Sequence, residues 1–556
     1  MSLMAWLGRP AALAASGAAA ETPNANDLKQ QPATASAEDQ PAAMPAETAA
    51  TTPAGSAAPA PAFYIAEYAI KGVHHLPQID VEEAVYPFLG PDRTVADIRG
   101  ARAALEKAYH DKGYQTVDVE IPLQRMQNGV VTLQVTEETV GRLRVRGARY
   151  FSPGRIKAGA PSLAEGTLIN FNAVPADMLA LNQLADRQVT PSLLAGRKPG
   201  TVDVDLDVKD HFPVHGSLEL NNRFSANTTA LRLNGSLSDN NLWDAGHVFG
   251  LSFQVSPENI SQVKVFSGYY LMHVSGVEGM SVMLQGTKQD SNVSTLGGAA
   301  VAGRGETLGP RVIFNLPSAK NFYHSITLGV DYKHFDQNIT VGASTTTTPI
   351  TYYPFSANYS ATLLGTGQTT ELDAGVTAHV RGMGSTTSTF DFKRFDADGA
   401  FIYFRGDLAH THDLPAGFQA YAKVQGQLAD RPLVDNEEFS GGGLDTVRGY
   451  LEAEEIGDNG FFGSIELRTP SVLSWFGEEK KGEWRFYAFG DGGWLTLNDP
   501  LPEQTSRFGL ASIGAGSRLR LFDHVGGSVD AALPLSTQTD TRAHDWRLTF
   551  RAEADY

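Results

Sequence analysis

The chain has 556 residues, a formal net charge of −18, no cysteine and a mean hydropathy of −0.21. That length exceeds one ordinary globular domain and calls for several domains or one large β structure. The missing cysteine excludes a disulfide framework, thiolate metal sites and a Cys nucleophile, and the acidic balance argues against a nucleic-acid partner. No run of about eighteen apolar residues occurs, so no transmembrane helix is expected; a β-barrel escapes that test because its strands alternate.

Residues 1–20 contain Leu3 to Leu7 and a small-residue run ending Ala18-Ala19-Ala20, which reads as a candidate signal peptide cleaved near Glu21. Arg9-Pro10 interrupts its apolar region and no basic residue precedes it, so the start of the signal is left open. Residues 21–62 are mostly Ala, Pro, Thr and Glu, show no amphipathic helix and read as a disordered linker.

Order is expected from Phe63. Tyr64 to Ile70 reads as a strand, and a short helical stretch from Ile79 is closed by Gly90. A second helix starts near Thr94, with Ile98, Ala101, Leu105 and Tyr109 on one face. Val117–Leu123 and Val130–Val135 then flank Asn128-Gly129, a hairpin-turn signal. The pattern restarts with a strand at Val140–Val145, helices at Pro153–Ala158 and Pro175–Ala185, and strands at Val189–Leu194 and Val202–Val208. Pro191 puts the first of these last two strands at a sheet edge. Residues 63–138 and 139–211 are therefore two β-α-α-β-β units, each with a strand edge free to pair with an extended segment.

From Val214 helical periodicity disappears and alternating runs follow one another to the last residue. About sixteen are expected, many near the ten residues a tilted strand needs to cross a bilayer. They fall at 214–223, 228–238, 246–256, 261–274, 278–288, 305–316, 322–336, 353–365, 369–381, 397–410, 416–429, 460–470, 483–494, 508–520, 523–533 and 544–556. Closing such a set into a ring leaves no edge to desolvate in lipid. The fold class is thus membrane all-β: a 16-stranded antiparallel barrel over 212–556, preceded by two small α+β modules, with a long inward loop at 431–459.

That loop holds Gly441-Gly442-Gly443 and then Val447-Arg448-Gly449-Tyr450. With Gly463-Ser464-Ile465-Glu466-Leu467-Arg468 and Phe489-Gly490-Asp491-Gly492-Gly493 on the next two strands, the chain resembles the two-partner-secretion transporters, the TpsB group that includes ShlB, FhaC and HecB. The three segments match its VRGY, G-x-x-E-x-R and F-x-D-x-G motifs, and the front units look like tandem POTRA domains. Arg448 would be costly to leave unpaired inside a barrel; Asp491 and Glu466 are its expected partners, with Gly463, Arg468, Phe489 and Gly493 as strand-motif positions.

The resemblance implies a monomer in the outer membrane of a Gram-negative bacterium, with the POTRA domains in the periplasm. Those domains would recognise a secreted, unfolded TpsA-like exoprotein of haemolysin or adhesin type, and the VRGY loop would gate the pore. The barrel would sit in outer-membrane lipid, and the strand ending at Tyr556 would be read by the barrel-assembly machinery. No cofactor, metal or catalytic residue is implied. There is no G-x-S-x-G, and His410 and His412 lack a third ligand nearby and read as solvated loop residues. The alternative within the superfamily is an assembly factor that inserts other outer-membrane proteins; a passive porin or adhesin leaves the front modules without a role.

Overall fold

The computed structural model describes residues 62–126, 128–274, 276–277, 279–294, 301–341 and 344–556, so the candidate signal and nearly all of the linker lie outside the described residues. The described chain forms two compact units, one ending at Asp210 and one spanning His211–Tyr556.

The first unit opens with β1 (Phe63–Ile65), β2 (Glu67–Lys71), α1 (Gln78–Val85), β3 (Gly90–Arg93), α2 (Val95–Asp111), β4 (Val117–Glu120) and β5 (Val130–Glu137). The sheet order is β2-β5-β4, with β2 parallel and β4 antiparallel to β5. Helix α2 starts at a capping box: the Thr94 hydroxyl accepts from the Asp97 N–H while the Asp97 carboxylate accepts from the Thr94 N–H. Its expected face, Ile98, Ala101, Leu105 and Tyr109, is buried in one core with Val119, Leu133 and Val135.

Three expectations need correction here. The strand expected over Tyr64–Ile70 is split at Ala66, whose N–H is taken by the Gly129 carbonyl at 2.8 Å. Gly90 does more than close the helical stretch, which ends in a 3₁₀ turn at Tyr86–Phe88: with φ of 111° it also opens β3, which pairs with β1. Asn128-Gly129 is not a two-residue hairpin turn: both residues have positive φ, but they close a loop that begins after Glu120. Pro122 has no N–H for the ladder, so β4 stops short, and the Gln124 side chain bonds both backbone groups of Thr132 instead.

The same unit continues with β6 (Thr139–Arg146), α3 (Pro153–Ala158), α4 (Val174–Leu181), β7 (Arg187–Ala195) and β8 (Thr201–Asp210). The order β6-β8-β7 repeats the parallel-then-antiparallel plan, and β7 with Pro191 is an edge. Helix α4 ends before the expected Ala185. The Asn182 side chain bonds the N–H of Val189 at 2.6 Å and its carbonyl at 3.0 Å, turning the chain into β7.

Glu137, at the end of β5, ties this unit together. Its carboxylate accepts from the backbone N–H groups of His74 and His75 at 2.9 and 3.1 Å and from the Tyr109 hydroxyl at 2.7 Å. Burial pushes this carboxyl up, but those donors and the His75 ring outweigh burial and hold it below the usual carboxylate range. A carboxyl whose folded pKa is depressed adds stability that is present above its unfolded value and lost as pH falls through the folded one. Glu137→Gln should therefore cost about 1–2 kcal/mol at neutral pH and flatten the acid-side loss. Amide exchange of α2 and β5 in the full chain, corrected for intrinsic rates, reads both effects.

The second unit is a barrel. Its wall runs through β9 (Val214–Asn221), β10 (Arg232–Leu242), β11 (His247–Val255), β12 (Val263–His273), β13 (Met280–Ser294) and β14 (Val301–Asn315). Next come β15 (Phe322–Val330), β16 (Tyr332–Val341), β17 (Ser344–Tyr352), β18 (Phe355–Gly365), β19 (Gln368–His379), α5 (Thr387–Lys393), β20 (Phe401–Asp413) and β21 (Gln419–Ala429). A small hairpin, β22 (Phe439–Gly441) and β23 (Glu455–Gly457), precedes β24 (Asn459–Arg468), α6 (Val472–Trp475), β25 (Gly482–Thr496), β26 (Arg507–Leu521), β27 (Val525–Pro534) and β28 (Arg547–Asp555). All wall neighbours are antiparallel, and β28 pairs with β9 to close the ring.

The wall has sixteen strands because two are each broken into two segments. One breaks between β15 and β16 at Asp331, the next between β17 and β18 at Tyr353-Pro354. Asp331 is gripped by both oxygens from the Arg311 guanidinium, at 2.7 and 2.8 Å, which fixes the break. The run expected at 322–336 reaches Val341, and Ser344–Tyr352, read from sequence as a loop, is a strand. Pro349 and the following Tyr-Tyr-Pro hid it. Helix α5, also unforeseen, buries Phe390 among Tyr352, Phe401 and Leu433.

Alternation sorts the wall side chains. Leu251, Phe266, Ile465 and Ile513 point outward and are exposed, while Gln254, Glu466, Asp491, Ser512 and Asp530 point into the lumen and are buried. His410 and His412 sit on β20 rather than in a loop, and among the described residues no His, Asp or Glu group could hold a metal ion.

Candidate functional site

The segment between β21 and β24 folds back into the lumen instead of projecting from the barrel. Leu433, Glu437, Val447, Arg448, Tyr450 and Asp458 along it are all buried. The β22–β23 hairpin forms its stem. At the tip, Gly442 and Gly443 have φ of 103° and 95°, and a Cβ on Gly443 would sit 2.3 Å from the Glu452 carboxylate. Two of the three glycines read in the sequence thus allow the turn, while Gly441 ends β22 where a Cβ would meet the Phe462 ring at 2.4 Å.

Arg448 lies at the centre. Its Nε donates to Asp491 Oδ2 and one terminal nitrogen to Asp491 Oδ1, both at 2.7 Å. The other terminal nitrogen donates to Glu466 Oε1 at 2.7 Å, and the nitrogen that meets Asp491 Oδ1 also donates to Ser464 Oγ at 3.0 Å. The Arg448 backbone N–H adds a bond to Asp491 at 3.1 Å. Strands β24 and β25 are antiparallel neighbours with Ser464 opposite Asp491, so alternation aims Glu466, Ser464 and Asp491 at one point in the lumen. Both expected partners are brought to Arg448.

Sequence reasoning missed the other contacts. The Phe489 ring lies under the guanidinium, 3.5 Å from its carbon to the ring centroid. Asp530 on β27 stands 3.7 Å from Arg448 and accepts from the Tyr487 hydroxyl at 2.7 Å. Arg468 donates to the far oxygen of Glu466 at 2.7 and 2.9 Å. The inward parity of Tyr487, Phe489 and Asp491 was a signal for the Phe489 contact; Asp530 carried none, because β27 is remote in sequence.

The other motif positions divide. Val447 is fully buried with Phe439, Phe462, Leu495 and Leu510, and the Tyr450 hydroxyl donates to the Ala511 and Ser536 carbonyls at 3.0 and 2.9 Å. Gly493 must be glycine, since a Cβ would meet the Phe461 carbonyl at 2.0 Å. Gly463 faces outward with its nearest neighbour atom at 3.8 Å, so no packing requirement explains it.

The loop has a second anchor at its root. Glu437 is enclosed by Lys333, the Tyr352 hydroxyl at 2.7 Å and the Tyr403 hydroxyl at 2.9 Å, from three different wall strands. Gln427 bonds the backbone carbonyls of Glu437 and Asp458 at 3.1 and 3.0 Å, joining the two ends of the loop.

Replacing Arg448 by alanine would leave Asp491, Glu466 and Asp530 without their shared cation. Breaking one side of a buried ion pair costs about 3–5 kcal/mol, enough to undock the tip while the root stays attached. Arg448→Ala should make residues 431–458 protease-sensitive in a barrel that keeps its heat-modifiable gel mobility. Asp491→Asn should do more than Glu466→Gln, because Asp491 holds three of the Arg448 bonds and Glu466 one.

Comparison with known proteins bears on the fold and the family. Residues 63–138 match the POTRA domain of ShlB type, and residues 200–519 match the haemolysin secretion/activation protein ShlB/FhaC/HecB model. The outer membrane transporter CdiB of Escherichia coli O6:K15:H31 is 24% identical over 511 residues, covering 85% of this chain and 79% of CdiB. The heme/hemopexin transporter protein HuxB of Haemophilus influenzae (strain 86-028NP) is 21% identical over 476 residues, covering 82% and 80%. Among solved structures, CdiB from Escherichia coli aligns with a TM-score of 0.59 at 22% identity over 91% of this chain and 93% of that one. BamA from Haemophilus ducreyi lacking POTRA domains 1–3 aligns at 0.55 and 12% identity over 89% and 100%; both structural likenesses are of fold. The barrel therefore lies in the outer membrane with the POTRA region on its periplasmic side, and the chain belongs to the ShlB/FhaC/HecB family of TpsB outer-membrane transporters.

Proposed function

We propose that this transporter secretes a large partner exoprotein of haemolysin or adhesin type in unfolded form from periplasm to cell surface. Both N-terminal modules act as POTRA domains, and an extended segment of the partner pairs with a free sheet edge, β2 or β4 in the first module and β6 or β7 in the second. The observation that carries the reading is the docked lumen loop. Arg448 is buried and fully partnered, yet its partners sit on two wall strands while its own backbone belongs to a loop. Such a contact can be exchanged without dismantling the wall, which is what a gate needs.

The mechanism uses no bond-making chemistry. A partner segment docked on the POTRA edge reaches the lumen, the loop leaves its place beside Asp491 and Glu466, and the chain threads past the polar wall. Folding outside supplies direction. The fold is shared with BamA, and nothing particular to the lumen site favours the second reading, an outer-membrane protein assembly factor.

Secretion of an exoprotein encoded beside this chain tests the reading. Arg448→Ala should lower secretion on the order of tenfold or more at normal barrel abundance, a change that corresponds to at least about 1.4 kcal/mol in gating. Asp491→Ala should act alike, and exchanging the two charges should restore part of it. Wild-type secretion by Arg448→Ala would sink the gating role; loss of no exoprotein when the chain is deleted would sink the secretion role.

A further inference from the structure

The lumen loop is held at its tip from two sides, and only one of them is wall. Arg448 grips β24 and β25. On the opposite side the tip meets residues 535–546, the extracellular connection from β27 to β28. The Glu454 carboxylate accepts from the backbone N–H groups of Thr541 and Asp540 at 2.7 and 3.1 Å, from the Thr541 hydroxyl, and from the Leu451 N–H at 2.9 Å. Glu455 accepts from the Thr539 N–H at 3.2 Å and its hydroxyl at 2.8 Å. The Tyr450 hydroxyl completes the seam, donating to Ser536 and accepting its N–H at 3.2 Å.

These contacts have a direction. Carboxylates on the lumen loop satisfy the backbone donors of Thr539, Asp540 and Thr541, which lie outside the barrel ladder, while the start of the segment stays tied to β26 by the Leu535 N–H to the Ala511 carbonyl and the Ser536 hydroxyl to the Gly509 carbonyl, both at 2.8 Å. The segment is exposed at Leu535, Thr537, Asp540 and Arg542, and its Thr539–Thr541 stretch can part from Glu454 and Glu455 while β26 and β27 stay paired. Arg448 fixes where the tip docks; the extracellular segment closes over it.

We propose that residues 535–546 are a clamp that holds the Val447–Tyr450 loop in its docked position, with Glu454 as the positioning residue. Release of the tip then requires the clamp to let go at the cell surface. This rests on the gating reading, so its test uses ion conductance, which needs no secreted partner.

The chain has no cysteine, so Glu455→Cys and Thr539→Cys can be combined and joined by a short bis-methanethiosulfonate cross-linker, each thiol displacing a sulfinate to form a disulfide that a reductant cleaves. In planar bilayers the joined barrel should open on the order of tenfold less often than the same protein after cleavage. Thr541→Val should open more often than wild type, and Thr541→Ser, which keeps the hydroxyl, should return to the wild-type frequency. Where Thr541→Val does not assemble, judged by heat-modifiable mobility, Glu454→Gln gives the same comparison. Equal opening of joined and cleaved protein overturns the clamp. A conductance response as expected, with no exoprotein secreted in either state, sustains the clamp and removes the secretion reading instead.

Discussion

A guanidinium enclosed in the lumen of a barrel is the constraint on which the rest of this structure turns. Taking a cation out of bulk water is costly unless carboxylates and good hydrogen bonds meet it. Here Asp491 holds Arg448 by both oxygens, Glu466 takes another nitrogen, and the Phe489 ring closes one face. The wall must present these groups at one height, which sets the register of β24 against β25. The loop must reach that height, which demands the glycines at its tip. Glu466 in turn is shared with Arg468, so the charges form a chain rather than an isolated pair.

Around that centre the two anchors differ in kind. The root is tied by Glu437 to Lys333, Tyr352 and Tyr403 and by Gln427 to both ends of the loop, a set drawn from the wall itself. The tip is held partly by wall strands and partly by extracellular segments. Besides the clamp, Arg223 beyond the end of β9 donates to Glu452 at 2.7 Å, and Glu452 N–H bonds the Phe224 carbonyl at 3.0 Å. In the proposed gating, the root would keep the loop in the lumen while the tip exchanges its contacts.

Much of this was legible in the residues. Alternation set the strands of the barrel, because each wall residue faces either lipid or lumen and the two solvents select different side chains. The same parity put Glu466 inward, whereas the inward side of Asp491, beside Phe489 and two glycines, was read from the family resemblance. The reading failed where local chemistry and tertiary pairing disagree. Ser344–Tyr352 is Thr-rich and carries Pro349, yet it is a strand because the facing segment through Val341 supplies its partners. Asn128-Gly129 has the right turn conformation and still closes a wide loop, because Pro122 cannot extend the ladder that a tight hairpin would need.

The sequence by itself determined the membrane barrel, the two small modules before it, and the Arg448–Asp491–Glu466 constellation, since each follows from short-range pattern and from motifs within a few strands. Only the tertiary structure decided how the loop is held. Asp530, Lys333, Arg223 and Thr541 lie far along the chain from the groups they meet, and nothing in their own neighbourhoods marks them. Ring closure brings them together: once β28 pairs with β9, the first and last extracellular connections stand side by side above the lumen, and the loop that fills it touches both.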